Sequence, residues 1–77
     1  MLMFNVKILN KMYKMPSKEA LGLIRIAGER VPFGIYAVAK GDYIELTNIR
    51  PDSITKLKEE IRNLKREGFK VYYHKGE

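Results

Sequence analysis

Phe4, Val6 and Ile8 alternate with Asn5 and Lys7, and a period of two puts their side chains on one face of a half-buried strand over residues 3 to 9. Residues 10 to 16, Asn-Lys-Met-Tyr-Lys-Met-Pro, read as a connection, because Pro16 has no N–H to give a continuous ladder. Ser17 then stands where a helix N-cap is wanted. From Lys18 to about Glu29, the residues Ala20, Leu23, Ile24 and Ala27 fall at helical spacing. Leu21 and Ile26 widen that apolar stripe, so this first helix is expected to be fairly buried. Gly28 is placed to end it in the left-handed conformation, and Val31-Pro32-Phe33-Gly34 leads into another extended run.

Residues 35 to 39 and 43 to 47 are rich in Ile, Tyr, Val and Leu and flank Lys40-Gly41-Asp42. That reads as a tight hairpin with Gly41 at positive φ. Ile54, Leu57, Ile61 and Leu64 then recur at helical spacing after Pro51, Asp52 and Ser53 and before Gly68, which predicts a second helix with start and stop signals at its two ends. Phe69, Val71 and Tyr73 alternate with Lys70, Tyr72 and His74, giving a final strand. The order strand-helix-strand-strand-helix-strand predicts an α+β fold, the ferredoxin-like βαββαβ sandwich. Its four-stranded antiparallel sheet would have spatial order 4-1-3-2 and two helices on one face. A swapped or intermolecular sheet built from the same elements is the competing arrangement, since the apolar start Leu2 to Phe4 can pair with another chain.

Seventy-seven residues fit one domain around one core. With no cysteine in the chain, disulfides, thiolate metal sites and thiol nucleophiles are excluded. No cofactor and no metal site is expected. Glutamine and tryptophan are also missing while lysine, glutamate and isoleucine are plentiful, a bias that points to a thermophilic source. The apolar start is interrupted by Asn5 and Lys7, too short a run for a signal peptide or a membrane span; the expected location is cytoplasmic, with no membrane partner.

Charge adds a direction to this picture. The net charge of +6 is uneven: residues 1 to 18 carry Lys7, Lys11, Lys14 and Lys18 with no acid, residues 19 to 47 sum to −1, and residues 48 to 77 sum to +3. In the predicted order the first and last strands are neighbours, so the two basic segments meet as one patch. With alternation, Lys7, Tyr43, Lys70, Tyr72 and His74 would face outward from the sheet, with Tyr36 joining them from the second strand. Rings for stacking and cations for phosphates are what single-stranded nucleic acid requires, and each stacked base contributes on the order of 1 to 3 kcal/mol. The functional expectation is a non-enzymatic domain binding RNA or single-stranded DNA. Lys7, Lys11, Lys70 and Lys75 would contact phosphates, Tyr43 and Tyr72 would stack, and Tyr36 and His74 would be secondary contacts. The alternative is a protein-interaction or homodimerisation module burying the same face, with Leu9, Tyr36, Val38, Tyr43 and Tyr72 at its centre. Strand tyrosines and edge lysines also have purely structural uses, and Glu45, in the middle of the proposed face, is placed to pair with Lys7.

Val6-Lys7-Ile8-Leu9-Asn10 resembles the first-strand motif of the RNA-recognition-motif family in its apolar and Asn positions, with Lys7 in place of the stacking aromatic. Lys40-Gly41-Asp42-Tyr43-Ile44-Glu45-Leu46 resembles the third-strand motif in its Lys-Gly start, a residue short and keeping only Tyr43. The likeness implies RNA binding on the sheet face, but it is confined to these two short segments and does not amount to membership. Catalytic signals are weaker. Ser17 and Ser53 read as helix caps, Asp42 and Asp52 as turn and cap residues, and His74 is the lone histidine. The mixed charges Lys56, Lys58, Glu59, Glu60, Arg62, Lys65, Arg66 and Glu67 read as a solvated helix face. Met12, Tyr13 and Met15, between and beside Lys11 and Lys14, read as an apolar-cationic loop able to dock on a partner or close one end of the core.

Overall fold

The computed structural model describes residues 2–76. Seven elements follow one another: β1 (Met3–Ile8), β2 (Lys11–Pro16), α1 (Ser17–Arg30), β3 (Phe33–Lys40), β4 (Tyr43–Ile49), α2 (Ile54–Arg66) and β5 (Lys70–Lys75). The five strands form one mixed sheet in the order β2-β1-β4-β3-β5. β1 and β4 run parallel, and every other neighbouring pair is antiparallel. The fold is thus α+β as expected, but the four-stranded antiparallel sheet in 4-1-3-2 order is replaced by five strands with the last one moved to the opposite edge.

The extra strand is the segment expected to be a connection. Lys11, Tyr13 and Met15 lie on one side of β2 and Met12 and Lys14 on the other, opposite Ile8, Val6, Phe4, Lys7 and Asn5 of β1 respectively. Pro16 ends this edge strand opposite Met3, where its missing N–H is tolerated. The two-residue turn Leu9-Asn10 between the strands carried no glycine signal, since its positive-φ position is Leu9, at φ 57°. With residues 11–16 occupying the edge beside β1, β5 pairs with β3 instead.

α1 begins at Ser17 itself; Pro16 holds the cap position without a side-chain hydrogen bond, so the expected Ser17 cap is not formed. The Ser17 N–H instead donates to the Leu2 carbonyl at 3.1 Å, tying the helix start to the start of β1. Gly28 does not end the helix, which runs on to Arg30. Its lack of a Cβ makes room for the Tyr36 ring, whose Cζ lies 2.9 Å from where that carbon would be. α2 follows its signals closely. Ser53 Oγ accepts from the Lys56 N–H at 3.2 Å. At the other end, Gly68 N–H donates to Lys65 O at 3.0 Å and Phe69 N–H to Leu64 O at 3.1 Å, the paired bonds of a Schellman stop at a left-handed glycine.

The helices lie on opposite faces of the sheet, against the expectation that both share one. Ala20 and Ile24 of α1 pack with Val6, Ala37 and Ile44, whereas Leu57 and Ile61 of α2 pack with Ile35, Val38 and Val71. Ala37 and Val38 are consecutive residues of β3, so their side chains point to opposite sides. An irregularity in β3 between Ile35 and Ala37 lets Ile35 share the Val38 side. Gly34, at φ 116°, sits beside it, and a Cβ there would lie 2.3 Å from the Ile49 carbonyl oxygen. The helices make no contact with each other. α1 spans the sheet, touching all five strands, while α2 touches only β3 and β5. Burying Leu57 and Ile61 contributes about 1.5 to 3 kcal/mol each, which holds α2 over that half of its face. The other half, over β2, β1 and β4, has no helix above it.

Candidate nucleic-acid interface

Register places the side chains of the open half-face in two rows. One runs Met12, Lys7, Glu45, Val38 across β2, β1, β4 and β3; the other runs Lys14, Asn5, Tyr43, Lys40. α2 covers each row from its β3 end. Lys40 is engaged there: its Nζ donates to the Glu67 carbonyl at 2.9 Å, at the C-terminal end of α2, and lies 5.3 Å from the centre of the Phe69 ring. Asn5 is also structural. Its backbone N–H donates to Asp42 O at 2.7 Å and its Nδ2 to Asp42 Oδ2 at 3.2 Å, clamping β1 to the β3–β4 turn.

Tyr43 and Glu45 follow one another on the same side of β4, and the Tyr43 hydroxyl donates to Glu45 Oε1 at 2.6 Å. That bond to a carboxylate, with partial burial and the nearby negative charge, pushes the Tyr43 hydroxyl up to about 12. The hydroxyl is thereby tethered on the open side of β4 and stays neutral in ordinary buffers. Glu45 is engaged with Tyr43 and not with Lys7, although Lys7 and Glu45 are register partners. Among the described residues the only ion pair is Lys56–Asp52 at 3.5 Å. Lys7 and Lys14 therefore stand on the half-face without an acidic partner, and Met12 adjoins both, opposite Lys7 on β1 and two residues before Lys14 on the edge strand.

The expected site is divided. Lys7 and Tyr43 share the open half-face. Lys11 lies on β2 with its side chain on the α1 side, in register with Ile8. Tyr36, Tyr72 and His74 gather at the opposite end of the sheet, also on the α1 side. There the Tyr36 and His74 rings stack at 5.0 Å and 28°, and the Tyr36 and Tyr72 centroids are 6.3 Å apart. His74 Nε2 is 2.9 Å from the Gly28 carbonyl oxygen, pinning the cluster to α1. Lys70 covers Tyr72, its Nζ 5.2 Å from the ring centre. Lys75, opposite Phe33, ends the same edge strand. The basic ends of the sequence thus occupy opposite edges of the sheet, and the single patch expected from neighbouring first and last strands is not formed.

Lys14 and Met12 are the residues of the half-face that sequence reasoning left out. Residues 11–15, Lys-Met-Tyr-Lys-Met, carry no clean period of two, since each side of the strand mixes a lysine with apolar residues; no recognisable turn precedes them and Pro16 follows. Among the described residues, no group of three or more His, Asp or Glu is arranged to hold a metal ion, and no helix is long and apolar enough to cross a membrane. Compared with known protein families, with curated proteins and with solved structures, the chain matches none.

Proposed function

We propose that this chain is a small, basic, non-enzymatic module that binds RNA or single-stranded DNA through the half of its sheet that α2 leaves uncovered. The observation that carries the reading is the pairing of two unpartnered cations, Lys7 and Lys14, with a ring held in place, Tyr43, on one open surface free of any helix. The lysines neutralise phosphates and release counterions, Tyr43 offers a π-face to one base, and Met12 supplies apolar contact beside the cations. Lys11 is assigned no part of this track, because its side chain lies on the α1 side of β2. Glu45 opposes the strand where it crosses β4, and its charge keeps affinity modest. Tyr72, Tyr36, His74, Lys70 and Lys75 are assigned no contact with the same strand, because they lie at the far edge and, save Lys75, on the other face.

Fluorescence anisotropy with a labelled single-stranded oligonucleotide over a salt series tests this. Lys7→Ala and Lys14→Ala should each weaken binding and each lower the salt slope by about 0.7. Glu45→Gln should tighten binding severalfold, and Lys70→Ala should change little. Equal losses from Lys70→Ala and Lys7→Ala would return the weight to a dispersed, nonspecific positive field and remove the half-face from the account.

A further inference from the structure

The free edge of β2 points to a second role. Asn5 donates its N–H toward β4, so Asn5 and Lys14, which are partners in the β1–β2 ladder, are a pair that exchange no backbone bonds. By the alternation of antiparallel ladders, the N–H and C=O groups of Met12 and Lys14 point away from the sheet with no strand to receive them. Around this edge the surface is unusually apolar: Leu2, which precedes β1, and Met3, Leu9, Met12 and Tyr13 of the β1–β2 hairpin are five of the eight exposed large hydrophobic residues among those described. Ile26 of α1, also exposed, lines a hollow with Met15 beside the same strand.

We infer that β2 is the interface of a homodimer, in which it pairs antiparallel with β2 of a second copy to make one ten-stranded sheet. Alternation allows few registers. Pairing centred on Lys14 sets like charges opposite one another and puts Met12 against Pro16, which has no N–H to give. Pairing centred on Tyr13 sets Lys14 opposite the partner's Met12 and Lys11 opposite the partner's Met15, so that no lysine faces a lysine directly. It uses the outward groups of Met12 and Lys14 in both copies and brings Leu9 beside the start of the partner's α1. The size is also right. A compact monomer of 9.0 kDa exposes about 4,900 Å², whereas this chain exposes 5553 Å². The excess, roughly 700 Å², is close to the ~800 Å² that one partner contributes to a standard interface. The radius of gyration, 12.4 Å, likewise exceeds the about 11.5 Å of a compact chain of this length.

The twofold axis of such a pair stands perpendicular to the sheet, so both open half-faces lie on the same side. They join into one surface of six uncovered strands walled by the two α2 helices. The cost is repulsion between the lysines of the two edges, which salt screens. Dimerisation should therefore strengthen as salt rises, opposite in sign to the binding of a polyanion, and it requires no nucleic acid.

The test is hydrogen exchange and sedimentation of the free protein across a concentration and salt series. The Met12 and Lys14 amides should become protected as protein concentration rises, in parallel with a monomer–dimer transition. Met12→Pro removes two outward bonds per dimer and should weaken association about tenfold or more, with far-UV circular dichroism unchanged because that N–H serves no bond to β1. Lys14→Ala, which keeps the edge intact, should tighten association at low salt and flatten its salt dependence. A chain that stays monomeric to millimolar concentration at high salt would overturn the inference. So would a dimer in which the Met12 and Lys14 amides exchange freely or which Met12→Pro leaves as strong.

Discussion

Three residues carry conformations or bonds that their neighbours impose on them. Leu9 sits at φ 57° with 86% of its surface exposed, so its backbone is strained and its side chain wins nothing back from packing within the monomer. Leu9→Gly should raise monomer stability by about 0.5 to 1 kcal/mol in urea unfolding, and a loss would mean that the leucine side chain is held by contacts. Gly34 is the opposite case. At φ 116°, with the Ile49 carbonyl where a Cβ would go, Gly34→Ala should cost about 2 kcal/mol or more, read as a lower urea midpoint at unchanged slope. Tyr43 gives a pH signature. Because its hydroxyl is pushed up to about 12 by the bond to Glu45, folding favours the protonated phenol. That stability is fully present below the ordinary tyrosine value near 10 and is lost as pH climbs from there through about 12. Spectrophotometric titration should show a tyrosinate component near 12 that disappears in Tyr43→Phe. Its persistence in that variant would assign it to another tyrosine.

The elements were legible wherever pattern and punctuation agreed. α2 has its stripe, its Ser53 cap and its Gly68 stop, and all three are formed; the Gly41 turn between β3 and β4 is likewise in place. β2 was missed because its turn uses a leucine in the left-handed region, which no residue preference announces, and because its terminal proline reads as a break when it is in fact an edge strand's end. Missing one strand displaced another. Pairing partners are long-range, and the side of the sheet on which each helix settles depends on crossovers that periodicity does not contain. α1 and α2 both have apolar stripes suited to a sheet, and nothing in either stripe says they will take opposite faces. Mutational coupling reports that division directly. Ile24→Val and Ile61→Val should each cost about 0.5 to 1.5 kcal/mol, and the double variant should equal their sum within about 0.5 kcal/mol, because the two side chains share no neighbour across the sheet. Strong coupling would place both helices over one core.

At the scale of the molecule, the sheet order scatters the cations and rings that were expected to form one site. Alternation was enough to put Lys7 and Tyr43 on one side of the sheet. It was not enough to put Tyr72 there, because Tyr72 is aligned with Ala37 on the α1 side, and the side a last strand presents depends on which neighbour it pairs with and in which direction. What remains is a half-covered sheet with Lys7 and Lys14 on the uncovered half and an aromatic cluster packed beside α1 at the far edge. The most direct test is an amide-shift titration of the protein with single-stranded RNA and its DNA equivalent at low salt. Saturable shifts at residues 5 to 7, 12 to 14 and 43 to 45, with 70 to 75 quiet, are the expected result. Shifts centred on 70 to 75, or none at low salt where a basic surface binds hardest, would contradict the half-face as a nucleic-acid site.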